Sequence, residues 1–519
     1  MPGERAEGLR TVSTTILIRG GHLLTMDAGL GERPNTDVLI DDSRIVGVGS
    51  DIAPPDGAEV IDASRHIVLP GFVDTHRHMW QTQLRGEMTD ATLLDYVALI
   101  RGIYSACYEP EDVYIGILAG YLDALNAGTT TLIDHCHIMN SAAHTDAAVR
   151  AFRDSGAGGV FCYGLFPNPE RGKPDTLSRI INPPARLWDE ARRVRATQFG
   201  PTNDDRIRWS VSLTELEFFP LKYSLREIDF ARELDAHKIS AHVGLGEASA
   251  HTRWVERLYK AGELGDDLLM VHGWSLTDKE LGYMVETGAT LSVTPDTELQ
   301  MGMGFPAFKR FADVGGRPGL GIDIVSNQSS DMFSQMRLGL QSIRGRENEA
   351  LARKGLVPSV LNTTTAQILR AATIDGAHAL GLEDEVGSIA VGKRADLILI
   401  RNDDINMAPA GNAAAAVVHY ANVGNIDTVI ADGVVRKRAG QLVGHDIPAV
   451  VGELLESSER VLSRAKSFDR DERKRQVRGI FPTDRRSSLE QQLAARIFRS
   501  SLAKPLHGAL MRAVLLRSN

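Results

Sequence analysis

The stretch PGFVDTHRHMWQTQLRG, residues 70–86, decides how the rest of the chain is read. Its first half has a strand pattern, with apolar Phe72 and Val73 leading to His76 and His78. Residues two apart on a strand face the same side, so both imidazoles aim at one point while Arg77 faces away. An isolated His-x-His pair is more often two unrelated histidines than a metal site. The remainder of the sequence has to decide between them.

Seven further apolar runs follow: TTTLIDHCH (129–137), GVFCYGL (159–165), IRWSVSL (207–213), KISAHVG (238–244), LLMVHG (268–273), ATLSVTP (289–295) and PGLGIDI (318–324). Helix-forming stretches such as EDVYIGILAGYLDALNAG (111–128) separate them. Eight such units predict parallel βα repeats closing into a (β/α)8 TIM barrel, with a doubly wound sheet as the alternative. His242, His272 and Asp323 each stand where an apolar run gives way to a loop, Gly-containing after His242 and His272. Strand ends converge on one face of a barrel, so residues about 250 apart can share one ion, and coincidence becomes a poor explanation.

Strand-like runs with turn signals precede the barrel at 15–27, 37–50 and 66–70 and return at 387–400, 426–440 and 441–444. The two ends are expected to build one β-sandwich domain around a central insertion. The expected division is 1–68 and 381–446 for the β-sandwich, 69–380 for the barrel, and 447–519 for a helical extension. That extension is charged and amphipathic; it is expected to dock on its own barrel or on a sister subunit, and no chemistry is assigned to it.

Composition narrows the partners. A chain of 519 residues, 43% apolar and 24% charged, is a folded protein, and its net charge of −9 offers no basic surface for nucleic acid. Cys107, Cys136 and Cys162 form no disulfide framework or zinc-ribbon spacing, which suits a reducing, cytoplasmic setting. The polar opening MPGERAEGLRTVS lacks a signal-peptide core, and no run approaches the ~20 apolar residues of a membrane span. No membrane association is expected.

With these residues in view, the chain resembles the amidohydrolase superfamily, in the branch of cytosine, guanine and S-adenosylhomocysteine deaminases and triazine hydrolases. PGFVDTHRHMWQTQLRG is similar to that branch's first-strand motif and LGID to its last, and the resemblance runs from about Thr15 to about Gly444. It implies His76, His78, His242 and Asp323 as ligands of one divalent ion, with Asp323 doubling as general base and His272 orienting substrate or attacking water. Such an ion lowers the pKa of its water toward neutrality. No lysine ends the fourth-strand run IRWSVSLTELEF, where two-metal relatives carry a carboxylated lysine; one ion is therefore expected, zinc in preference to iron(II).

The sequence departs from the branch at one place. Deaminases of this kind carry a proton-shuttling glutamate three residues after the fifth-strand histidine, and here that residue is Leu245; Glu247, after two glycines, is the candidate replacement. His135 and His137, Trp80 and Gln81, Trp274, and Met301 with Met303 are the candidate lining of a pocket for a flat, polar heterocycle, with second-shell or packing roles as the alternative. Ser326, Asn327 and Asp331 follow the last ligand without an assigned role.

The sequence thus predicts a metal-dependent hydrolase of a C–N bond in a small cyclic nitrogenous compound, with deamination the first reaction expected. The alternatives are a non-deaminating reaction at the same metal, such as cyclic amide hydrolysis, dehalogenation, ring opening or decarboxylation, or a non-catalytic scaffold. A homo-oligomer, most simply a homodimer, is expected.

Overall fold

The computed structural model describes residues 15–171, 183–203, 205–215, 217–246 and 249–480. The chain begins with β1 (Thr15–Leu24), β2 (Glu32–Asp41), β3 (Arg44–Gly49), β4 (Glu59–Asp62) and β5 (His66–Pro70). It then runs through β6 (Phe72–Arg77), β7 (Thr129–Cys136), β8 (Gly158–Gly164), β9 (Ile207–Ser212), β10 (Ile239–Val243), β11 (Leu268–His272), β12 (Thr290–Val293) and β13 (Gly319–Leu320). These eight strands are parallel and neighbours in chain order, giving a nearly closed barrel. Every residue of β6, β7 and β8 is buried, as expected of strands covered on both faces.

The last four strands, β14 (Leu397–Arg401), β15 (Ile426–Ala431), β16 (Val434–Arg438) and β17 (Gln441–Leu442), rejoin the first five. Together they form one nine-stranded sheet in which β5 pairs antiparallel with β14, Leu69 opposite Ile398. The sheet has an apolar cluster of its own, including Ile18, Val38, Ile40, Val68, Leu397 and Leu399. Two helices, Ile447–Ala465 and Arg470–Ile480, follow it; the rest of the extension, 481–519, lies outside the described residues. Among the described residues, no helix is long and apolar enough to cross a membrane.

Closure of the barrel brings the first and last strand runs together. The Asp323 N–H donates to the His76 carbonyl at 2.8 Å, and the His78 N–H donates to the Asp323 carbonyl at 2.8 Å. Gly321 makes this approach possible: a Cβ there would lie 2.9 Å from both N and O of His76, closer than any real side chain comes. Asp323 itself takes a left-handed conformation, φ 69°, as does His272 at φ 76°. Asp and His tolerate that region better than most residues, and strain of this kind gathers at functional sites.

The helix Leu221–Glu233 is tied to the end of β9 by a buried carboxylate, Glu227, which accepts from the Thr214 N–H at 2.8 Å. Burial pushes this carboxyl up to about 8, against the lowering effect of that hydrogen bond. The folded state therefore holds the proton more tightly than the unfolded chain. The stabilisation is complete below the ordinary value of 4.5 and is lost as pH rises through about 8. The expected outcome is that the melting temperature of the wild type relative to Glu227→Gln is highest near pH 5 and falls as pH rises to about 8.5. Thermal unfolding of both proteins across that range checks it, and parallel profiles would show that Glu227 does not carry the dependence.

Candidate metal centre and active site

Six histidines from four strand ends converge on one face of the barrel: His76 and His78 at the end of β6, His135 and His137 at the end of β7, His242 on β10 and His272 on β11. Asp323, after β13, joins them. His76 is fully buried, and His78, His135, His137, His272 and Asp323 are nearly so. His76 Nε2 stands 3.3 Å from Asp323 Oδ1 and 3.2 Å from His242 Nε2, and His78 Nε2 stands 3.4 Å from the same Asp323 oxygen. Donor atoms about 2.0–2.1 Å from a common tetrahedral ion lie about 3.3 Å apart, so these spacings fit edges of a coordination shell.

Hydrogen bonds settle which ring nitrogens face the cluster. His78 Nδ1 lies 2.7 Å from the His135 carbonyl oxygen, which can only accept, so the proton is on Nδ1 and Nε2 offers a lone pair. His272 Nδ1 is engaged by Thr294 Oγ1 at 3.0 Å, with Glu298 Oε1 at 3.4 Å. His135 Nδ1 meets Ser240 Oγ at 3.1 Å, and the His242 Nδ1 face is met by Glu215 Oε1 at 3.2 Å. Among the described residues, two groups satisfy the spacing of a cation site, His76–His272–Asp323 and His76–His135–His242, with donor atoms within 4.8 Å of one another.

The protonation states suit a cation. Burial drives the His76 imidazole down to about 4 and takes His78 and His135 well below their ordinary value, so all three are neutral near pH 7. Burial alone would raise the Asp323 carboxyl, but the His76 hydrogen bond and the surrounding imidazoles hold it well below the usual carboxylate range. Neutral imidazoles beside an ionised carboxylate are the forms in which these groups bind metal. The residues therefore fit a divalent ion.

Around this centre the candidate pocket residues take distinct places. Trp80, fully buried, donates its indole N–H to His137 Nδ1 at 3.0 Å, leaving the proton of a neutral His137 on Nε2. Gln81 donates to the Tyr96 hydroxyl at 2.7 Å, while its buried Oε1 makes no hydrogen bond. Met301 and Met303 are buried in the apolar core, and the Met301 carbonyl accepts from Leu93 N–H at 3.1 Å. Trp274 sits further out, its ring beneath the Arg346 guanidinium and beside Phe305. Asp331 caps the helix Met332–Ala352, accepting from Ser334 N–H at 2.8 Å, whereas Ser326 and Asn327 are buried with side-chain atoms uncommitted. Leu245 is partly buried against apolar neighbours, and Glu247 lies outside the described residues.

Three groups at the site go unclaimed in a reading of the sequence alone. Glu298, fully buried, accepts from Thr294 N–H at 2.9 Å beneath His272. Tyr96 comes from a short helix with no chemical signature. Glu215 stands just past the end of β9, as His242 and His272 stand at the ends of β10 and β11.

Comparison with known proteins places the chain in a family. The model of the amidohydrolase family matches residues 67–436. The chain is similar to the 5'-deoxyadenosine deaminase of Methanobrevibacter smithii, with 28% identity over 76% of this chain and 87% of that one. It is also similar to the 5-methylthioadenosine/S-adenosylhomocysteine deaminase of Symbiobacterium thermophilum, with 29% identity over 80% and 92%. Among solved structures, an adenosine deaminase from Xanthomonas campestris with bound zinc superposes with a TM-score of 0.74 at 22% identity, covering 87% of this chain and 99% of that one. The chain belongs to the amidohydrolase family. It is a hydrolase of carbon–nitrogen bonds in a metal-dependent family, built on that family's barrel.

Replacing His76 with Ala removes the one imidazole common to both candidate groups. Elemental analysis is expected to show ion content falling from about one per chain to less than about 0.1, with the barrel still folded by circular dichroism. Full metal content in that variant would exclude this cluster as the metal centre.

Proposed function

We propose that this amidohydrolase deaminates a 6-aminopurine nucleoside whose 5′ position carries no free hydroxyl, replacing the ring amino group with oxygen and releasing ammonia. The observation that carries the reading is the convergence of His76, His78, His242 and Asp323 within 3.2–3.4 Å contacts, in a chain whose similar curated proteins are named as deaminases of 5'-deoxyadenosine and of 5-methylthioadenosine and S-adenosylhomocysteine.

In this reading those four residues hold one divalent ion, zinc in preference to iron(II); the zinc in the Xanthomonas campestris structure and the three-nitrogen, one-oxygen donor set both support it. When bound, the ion supplies Lewis acidity and a water ionised near neutrality. Asp323, ionised in this setting, accepts a proton from the attacking water and returns it to the departing amine. His272, held at Nδ1 by Thr294, keeps its other nitrogen for the water or for the oxygen of the product. The purine ring needs a second proton transfer at nitrogen, and Glu247 is assigned to it. The support is the turn just before it, where Gly244 and Gly246 both adopt left-handed conformations, φ 67° and 70°, and bend the chain sharply after His242.

Trp80, Gln81, His135, His137, Trp274 and Met301 form the substrate side of this reading. The free Gln81 Oε1 and the Nε2–H of His137 are complementary to a flat heterocycle with both donors and acceptors. A cytoplasmic homodimer completes it. The three buried, unpaired cysteines suit a reducing compartment, and the exposed Leu356, Val357, Val360 and Leu361 offer an apolar surface that pairing would cover.

The experiment is an ammonia-release screen of metal-loaded protein over 5'-deoxyadenosine, 5-methylthioadenosine, S-adenosylhomocysteine and adenosine, with Asp323→Asn as control. Ammonia from at least one of the first three is expected, with adenosine the poorest substrate. Asp323→Asn is expected to lower kcat by about 10³-fold without loss of the fold. Glu247→Gln should be nearly as severe. Metal-loaded protein that releases no ammonia from any of them would overturn the proposal, and near wild-type turnover in Glu247→Gln would remove Glu247 from it.

A further inference from the structure

The helices Ile447–Ala465 and Arg470–Ile480 lie beyond the family match, which ends at residue 436, and the chemistry described so far does not use them. Their docking site is specific. The segment that follows the ligand His78 is a chain of short helical turns, Met79–Leu84, Leu93–Tyr96, Val97–Arg101 and Tyr104–Cys107, leading into the long helix Pro110–Asn126. The C-terminal helices are fastened along this segment.

The main fastening is at Asp112, whose side chain is 1% exposed. Its Oδ1 accepts from Ser457 Oγ at 2.8 Å and from Arg460 Nη2 at 3.1 Å, and its Oδ2 accepts from Arg464 Nη1 at 2.5 Å. Arg464 Nη1 also donates to the Cys107 carbonyl at 2.8 Å. Beside it, Gln83 donates to Ser457 Oγ at 3.0 Å, and its own carbonyl accepts from Ser458 Oγ at 2.8 Å. The second helix reaches further along: Arg478 donates to Asp95 at 2.6 Å, and Arg470 stands 3.7 Å from Glu87. A carboxylate as deeply buried as Asp112 needs its cationic partners, so the arginines bind firmly where loose surface pairs would not.

Three of the fastened residues, Gln83, Asp95 and Cys107, are near neighbours in the chain of groups at the pocket wall. Gln83 lies two positions from Gln81 and three from Trp80, which bonds His137. Asp95 precedes Tyr96, the partner of Gln81. The Tyr108 ring meets Trp80 edge-on at 5.1 Å, with Cys107 just before it. We propose that the C-terminal helices are a built-in brace that sets the substrate-side wall of the pocket, acting through Asp112 and Gln83 as positioning residues. The brace works on Trp80, Gln81 and Tyr96 and leaves the metal ligands alone, because His76, His242 and Asp323 are held by the barrel itself. The kinetic half of its test rests on the deaminase reading; the structural half does not.

The test compares the full-length, metal-loaded wild type with Arg460→Ala/Arg464→Ala, with Arg460→Lys/Arg464→Lys, and with Asp112→Asn, which removes the buried charge itself. The alanine pair is expected to keep its ion content and to raise amide hydrogen exchange across residues 79–108 by about tenfold or more, with β10 and β11 unchanged. The lysine pair should recover most of that protection. With the nucleoside found to be turned over, KM should rise about tenfold while kcat stays within about threefold, the pattern of lost substrate positioning. Asp112→Asn should fall in the same direction. Unchanged exchange at 79–108 in the alanine pair and in Asp112→Asn overturns the proposal. So does loosening that spreads through the barrel with loss of metal, or local loosening with KM unchanged. If no nucleoside is turned over, the deaminase reading fails and the exchange pattern alone decides whether the brace exists.

Discussion

Two backbone hydrogen bonds, from Asp323 N–H to the His76 carbonyl and from His78 N–H to the Asp323 carbonyl, close the barrel and assemble its chemistry in one act. Residues nearly 250 positions apart become neighbours because the last strand run can pair with the first only at the depth where Gly321 lets the two backbones touch. The ionised carboxylate and the neutral imidazoles are then buried together: burial keeps His76 neutral against the pull of Asp323, and the imidazoles around Asp323 favour its ionised form. The left-handed turns at His272 and Asp323 are the conformational cost of pointing both side chains inward at the ends of strands.

Much of this was legible because the barrel repeats one local pattern. Eight apolar runs appear in the chain in the order they take in space, so β6 to β13 follow directly from counting. The pairing of the two chain ends was legible for a related reason: HIVLP and LILI are complementary, short and apolar, and they meet as β5 and β14. The ligand candidates needed only the period-two geometry of a strand and the convergence of strand ends.

What stayed hidden depends on loops and on contacts that have no period. Tyr96 and Glu298 reach the site from short helices whose placement follows from their neighbours, and nothing in their own sequence marks them. Glu215 shows the reverse case, a residue just past a strand end, at a place where the absence of a lysine drew the reading toward metal count alone. The helical extension could be recognised as amphipathic, yet its target could not. Asp112 reads as an ordinary residue in the first turn of a helix until Arg460 and Arg464, some 350 positions away, are seen to share it.

The nine-stranded sheet also has a meaning in time. Its inner strand β5 is synthesised before the barrel, and its partner β14 only after it, so more than 300 residues must leave the ribosome before Leu69 can meet Ile398. Until then β5 presents an unpaired apolar edge, the kind of surface that recruits other chains. A chain that stalls or breaks within the barrel never covers that edge. Joining the first and last strands thus makes the sheet a seal that closes only once the chain has been made through β14.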